Sequence, residues 1–249
     1  MIYLSHIRAT IKRIGLILLL AITPCLSHGD EPRYNIPPGI ELMTTTQYYD
    51  PIEPVNRYIY RFNARFDRYI FLPTVAGYRY ITPDPVENSI SNFFNNLREI
   101  PTFINSALQL KGKTSLRTAG RFIVNSTVGI AGLFDTASHF GIQHYKEDFG
   151  QTLGYWGVPD GPFVVLPILG PSNLRDATGF VTDSAVVNNI DLFKLDDVNH
   201  DGERITLLVM DGIDTRKNTA FRYFETGTPF EYELIRRFYG DYRRLLIEK

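Results

Sequence analysis

The stretch Val55-Asn56-Arg57-Tyr58-Ile59-Tyr60-Arg61-Phe62-Asn63-Ala64-Arg65-Phe66-Asp67-Arg68-Tyr69-Ile70 decides how the rest of this chain is read. Wound as a helix at about 100° per residue, it gathers Arg57, Arg61, Arg65 and Arg68 into one sector roughly 80° wide. Val55, Ile59, Phe62, Phe66 and Ile70 fall in a second such sector on the opposite side. Tyr58 and Tyr69 sit on the border between them. An apolar face, an arginine face and aromatic edges suit a helix lying in a membrane interface. The same stripe also suits ordinary packing on a protein core. The helix by itself leaves both readings open.

Composition narrows the field. The chain has 249 residues, 44% hydrophobic and 13% aromatic, enough to build one folded domain. Residues 1–29 look like an export signal. Arg8, Lys12 and Arg13 precede an apolar run from Ile14 to Ile22, too short to span a bilayer, and Ser27-His28-Gly29 offers a cut before Asp30. Removing it lowers the basic total of 26 by three and leaves the 27 acidic residues untouched. The mature chain is therefore net acidic, without the bulk positive field that holds nucleic acid.

Cys25 is the only cysteine, so no internal disulfide can form. Its position makes it a candidate lipidation site. Pro24 departs from the usual lipoprotein pattern, because proline fixes the backbone where a peptidase must grip. No later apolar run reaches transmembrane length, since Phe163-Val164-Val165-Leu166 is stopped by Pro167.

Residues 30–49, with Pro32, Pro37, Pro38 and Gly39, read as a flexible tether. From residue 50 to 249 the pattern is helical, and the expected fold is all-α. The first long helix is expected to begin at Pro54. Asp84-Pro85-Val86-Glu87 resembles a capping box, followed by an apolar face of Val86, Ile90, Phe93, Phe94 and Leu97. Pro101 is expected to restart a short helix, and Thr114–Asn125 to form the next. Gly129 and Gly132 bracket a small-residue hinge. The segment 150–171, rich in Gly and Pro, is expected to be a structured loop with at most a short strand at Phe163–Leu166. Helices are expected at about 172–188, 203–217 and 229–247.

Motifs for chemistry are sparse. Asp197-Val198-Asn199-His200-Asp201-Gly202 opens like an EF-hand loop, but the position of the bidentate Glu is Leu208. There is no Gly-x-Ser-x-Gly elbow, His-Glu-x-x-His pair or Walker loop, and His139 and His144 are not spaced for zinc. No metal or cofactor is expected, and binding or transport is favoured over catalysis.

Several ordered motifs carry a resemblance. Asp50-Pro51-Ile52-Glu53 with Asn56-Arg57 and Phe62-Asn63 comes first, then Ser91-Asn92-Phe93-Phe94-Asn95-Asn96-Leu97-Arg98-Glu99-Ile100-Pro101. Phe122-Ile123-Val124-Asn125 with Gly132-Leu133-Phe134-Asp135 follows, then Asp148-Phe149-Gly150-Gln151-Thr152-Leu153-Gly154-Tyr155-Trp156-Gly157. Gly161-Pro162-Phe163 and Gly170-Pro171-Ser172-Asn173-Leu174-Arg175-Asp176 close the series. Over about residues 50–217 the chain resembles the MlaA (VacJ) family.

The resemblance implies an outer-membrane lipoprotein built as a ring of interfacial helices around an amphipathic channel, beside a trimeric porin. It implies that mislocalised phospholipid leaves the outer leaflet of the outer membrane and passes to a periplasmic carrier of the MlaC type, which maintains lipid asymmetry. Phe62, Asn63 and Phe66 are then candidates for membrane or channel contact. Gly129, Gly132, Gly154, Gly157 and Gly161 are candidates for the channel wall, because small residues let backbone approach a lipid. Tight packing and turns are the competing role for these glycines. A porin-associated scaffold and a phospholipid hydrolase are the alternative functions. If the apolar face of the 55–70 helix meets lipid, Phe66→Asp should lower the membrane-bound fraction in flotation assays; unchanged partitioning of a folded variant would count against that contact.

Overall fold

The computed structural model describes residues 48–190 and 201–249. The leader, most of the tether and the start of the calcium-like loop, residues 197–200, lie outside the described residues. Helices α1 (Glu53–Phe66) and α2 (Leu72–Ile81) are joined by a π-helical turn, Asp67–Phe71. Pro73 follows that turn and cannot donate an N–H to the ladder, a usual setting for a local change of helical pitch. Leu72 N–H reaches back to Asp67 O. The wide turn carries Asp67 inward, where it pairs with Arg216 through Nε and, at 2.8 Å, Nη2.

The long helix α3 (Asp84–Leu108) packs along α4 (Gly112–Thr127). The expected capping box does not form: Pro83 takes the N-cap position without a side-chain hydrogen bond, and Glu87 instead lies 3.6 Å from Lys217. Pro101 lies inside α3 rather than restarting a helix. Neighbouring carbonyls are taken by side chains, with Thr102 Oγ1 donating to Arg98 O at 2.8 Å and Asn105 Nδ2 to Pro101 O at 2.9 Å.

A short α5 (Thr136–His139) is capped by Asp135. The segment expected to be a loop holds more structure than its glycines and prolines suggested. It contains α6 (Phe149–Tyr155), capped by Asp148, and a hairpin of β1 (Phe163–Leu166) and β2 (Gly170–Asn173). The hairpin is antiparallel, pairing Phe163 with Asn173 and Leu166 with Gly170. Its turn is sharp because Ile168 and Gly170 both take positive φ. Helices α7 (Leu174–Ile190), α8 (Asp201–Lys217) and α9 (Glu231–Glu248) follow, close to their expected spans.

Two asparagines on α1 hold the hairpin. Asn56 donates to Phe163 O and accepts from Val165 N, both at 2.9 Å. Asn63 donates to Leu166 O at 2.9 Å and accepts from Ile168 N at 2.7 Å. Seven helical residues rise about 10.5 Å, and three strand residues span about 10 Å. The two periods therefore place successive amides over successive stretches of strand backbone. A small apolar cluster of Tyr60, Phe163, Val165 and Tyr232 sits at this junction. Tyr60 meets Tyr223 and Tyr232 edge to face, at 5.0 and 5.8 Å.

Helix α9 turns Arg236 and Arg243 inward. Arg236 pairs with Asp50 at 3.2 Å. Arg243 grips Asp148 with two bonds of 2.6 and 2.7 Å and reaches Asp176 at 2.7 Å. Burial by itself would raise the Asp148 carboxyl. The hydrogen bonds and charge of Arg243, with the Gln151 amides, outweigh it and hold that carboxyl below its ordinary value.

Asn63→Ala orphans one strand carbonyl and one turn N–H, and should destabilise the fold by about 2 kcal/mol in denaturant titrations. For Asp148, the lowered folded value means a contribution complete above the ordinary carboxylate value and lost as pH falls through the lowered one. The stability difference between wild type and Asp148→Asn should therefore shrink between about pH 4 and pH 2.

Candidate functional site

Along α1 the buried stripe is not the apolar one. Asn56, Tyr60, Asn63, Ala64 and Asp67 are buried, a face turned roughly 100° from the Val55–Phe66 stripe. Val55 and Ile70 are exposed, while Phe62 and Phe66 stack at 6.0 Å and are half-buried. On α4 the buried residues are Ser115, Thr118, Arg121 and Asn125. Leu116, on the other side, is 75% exposed and Ile123 60%. Helix α3 buries Glu87, Asn96, Glu99, Thr102 and Asn105, with Phe94 the one apolar member of that row. Buried polar side chains outnumber buried apolar ones throughout the described residues, and large apolar side chains such as Tyr80, Phe140, Leu208 and Phe238 are exposed.

Such an inverted distribution suits an apolar surrounding, because contiguous exposed apolar surface marks contact with protein or membrane. Among the described residues, no helix is long and apolar enough to cross a membrane.

The polar side of α3 lines a cavity of about 710 Å³. Asn88, Ser91, Asn92, Asn95, Arg98 and Thr102 recur along it at helical spacing. The facing walls come from the end of α8 and the residues after it (Thr215, Asn218, Thr219), from residues 144 and 146–148, and from Asp183 of α7. Arg98 is held by Asp211, by Thr215 Oγ1 at 2.9 Å and by Asn95 Oδ1 at 3.2 Å. Burial pushes the Asp211 carboxyl up, and Arg98 only partly opposes it. Asp183 is likewise raised by burial, although Phe149 N–H and Asn105 Nδ2 both donate to it at 2.8 Å. Lys146 faces the cavity and has no acidic partner among the described residues.

A second cavity of about 140 Å³ adjoins it, with Asn92, Asn95 and His144 common to both walls. Arg121 forms its floor. The guanidinium donates to Glu99 at 2.7 Å, Asp135 at 2.9 Å and Ser138 Oγ at 3.1 Å, and also to Ile142 O. His144 Nδ1 lies 2.9 Å from the same Glu99 oxygen. The two cavities together form a polar interior behind an apolar exterior. That arrangement can shelter a charged group while apolar chains stay outside, and it needs no reacting nucleophile.

The candidates from sequence fall elsewhere. Asn63 is the hairpin clamp, and Phe62 and Phe66 are half-buried on a face turned roughly 100° from the buried one. Gly129 and Gly132 belong to a tight turn in which Ile130, Ala131 and Gly132 all take positive φ. A Cβ on Gly129 would fall 2.3 Å from Phe134 O, and one on Gly132 would fall 2.6 Å from Asn96 Cβ. Gly132 thus borders the small cavity through Asn96. A Cβ on Gly154 would meet Ile247 at 2.5 Å. Gly157 sits in an exposed turn and Gly161 in exposed irregular chain, where a Cβ would fall 3.2 Å from Leu174 Cβ; both have positive φ. Cys25 lies outside the described residues. None of the candidates among the described residues lines either cavity. The cavity stripe on α3 was visible in the sequence as Asn88, Ser91, Asn92 and Asn95 at three- and four-residue spacing, but the apolar residues between them drew the reading.

Comparison with known proteins fits this geometry. The family model described as MlaA lipoprotein matches residues 48–246. An uncharacterised protein of Rickettsia prowazekii is 36% identical over 180 residues, covering 70% of this chain and 72% of that protein. The intermembrane phospholipid transport system lipoprotein MlaA of Haemophilus influenzae is 30% identical, over 69% of this chain and 65% of its own length. Its Escherichia coli namesake is 36% identical over 54% and 55%. A solved structure from work on the structural basis for maintenance of bacterial outer membrane lipid asymmetry superposes with a TM-score of 0.63. It is 27% identical and covers 80% of this chain and 98% of its own.

Proposed function

The chain belongs to the MlaA lipoprotein family, and on that footing we propose that it moves phospholipid out of the outer leaflet of the outer membrane and passes it to a periplasmic carrier of the MlaC type. The observation that carries this reading is the inverted chain: an open, polar-lined cavity of about 710 Å³ bordered by helices with exposed apolar residues. A phospholipid needs a polar path for its head group and an apolar edge for its tails, and these helices offer both without spanning the bilayer.

In this reading α4, α7, α8 and α9 set their exposed apolar residues against acyl chains or a neighbouring trimeric porin. The helices form a ring in the membrane interface. Asn92, Asn95 and Arg98 form one wall of the head-group path. The step is transfer of a whole molecule, in which no bond is made or broken. Cys25 would supply a lipid anchor. Without acylation, the ring helices and the porin would hold the protein at the membrane.

The test is transfer of labelled phospholipid from vesicles carrying the protein to a soluble carrier. Asn95→Trp, which fills the cavity from one wall, should cut the transfer rate about tenfold or more while membrane partitioning stays as in wild type. Transfer at the wild-type rate by a folded variant would remove the cavity from the path. Hydrolysis of the phospholipid by the purified protein would replace transport with catalysis.

A further inference from the structure

The small cavity carries two acceptors with nothing to accept. Glu99 Oε2 and Asn96 Oδ1 are buried and have no donor within hydrogen-bond reach among the described residues. Glu99 is 1% exposed and Asn96 4%. Both line the cavity of about 140 Å³. Their other polar atoms are committed. Glu99 Oε1 receives Arg121 Nε and faces His144 Nδ1, and Asn96 Nδ2 donates to Ser126 Oγ at 2.9 Å. Gly132 packs against Asn96 so closely that a methyl group there would displace it.

Buried acceptors without protein donors are costly, so this wall suits a donating group, from water or from a ligand. The charges say which kind. Glu99 and Asp135 both contact Arg121, the one fixed cation in the cavity wall. Two carboxylates, Glu99 and Asp135, thus face a single guanidinium in this wall. A group that donates N–H bonds, carries a single positive charge and fits about 140 Å³ suits this wall.

We propose that this cavity is the subsite for the primary ammonium of an ethanolamine-type phospholipid head group. Asn92, Asn95 and His144 border both cavities, so a head group lying in the larger one can place its amine in the smaller. Lys146 in the larger cavity, without an acidic partner among the described residues, is the cation available to the adjoining phosphate. A choline head group carries the charge but has no N–H to give to Glu99 Oε2 and Asn96 Oδ1. A glycerol head group has hydroxyl donors but no positive charge to balance the surplus carboxylate. The assignment rests on the reading that phospholipid passes through this interior.

The test is binding to the full protein, purified in detergent and measured by native mass spectrometry. The lipids are phosphatidylethanolamine, its N-methyl and N,N-dimethyl derivatives, phosphatidylcholine and phosphatidylglycerol, all with matched acyl chains. Affinity is expected to fall stepwise as N–H is replaced by methyl, leaving phosphatidylcholine and phosphatidylglycerol roughly tenfold weaker than phosphatidylethanolamine. Glu99→Gln, checked for folding by circular dichroism, is expected to erase that preference while still binding lipid. Soluble phosphoethanolamine, lacking tails, is expected to bind at least tenfold more weakly than the lipid. Equal affinity across the series, or a preference kept by folded Glu99→Gln, overturns the subsite and leaves phospholipid passage standing. Phosphoethanolamine binding as tightly as the lipid overturns the lipid assignment. Failure to bind any of the lipids overturns the subsite and the transport reading together. The lipid series uses the unaltered protein, so it decides the matter even if Glu99→Gln does not fold.

Discussion

An amide that leaves water must find both a donor and an acceptor, and this fold is arranged around that demand. Asn56 and Asn63 meet it by reading the backbone of the β1–β2 hairpin, two turns of helix against three residues of strand. Everything near them follows. The hairpin is held across α1, Tyr60 is placed against Tyr223 and Tyr232, and Asp67 is delivered by the π-turn to Arg216. A fold driven by apolar burial could tolerate a slipped contact by repacking. Here a slip of one residue would leave several buried polar atoms unpaired.

The same logic governs the ion pairs. Asp67 with Arg216, Glu99 with Arg121 and Asp148 with Arg243 all cross between elements, and each carboxylate or guanidinium has further partners. Buried pairs of this kind add little net stability compared with apolar packing, yet breaking one leaves an uncompensated charge. They serve here as registration points among helices whose apolar faces are directed outward.

Helices were legible in the sequence because period and caps are local. The spans of α7, α8 and α9 and the start of α1 at Pro54 follow from apolar spacing and proline placement. What the sequence left open was which surrounding each apolar stripe meets. Period 3.6 reveals that a helix has two faces, but says nothing of which solvent each face meets. Val86, Ile90 and Phe93 marked α3 correctly as a helix, while Asn88, Ser91, Asn92 and Asn95 on the same helix line the cavity. Pro101 was read as a break because proline lacks a donor, yet Thr102 and Asn105 supply side-chain bonds beside it. Residues 150–171 read as a structured loop because the partners of this region, Asn56, Asn63 and Arg243, are distant in sequence. The glycine signals were sound as turns and close approaches, but close approach of backbone to backbone cannot be told from approach to lipid in the sequence alone.

The polar interior also shapes how this protein responds to temperature. Exposing apolar surface raises the heat capacity of the unfolded chain, and exposing polar surface lowers it. A chain that buries Asn56, Glu99, Asn105, Gln109 and Asp214 while leaving Leu116, Leu208 and Phe238 outside has an unusually small balance of the two. A smaller balance flattens the stability curve of such a chain. Cooling removes little of what holds it together, because the term that fades in the cold is the one it uses least within its own fold.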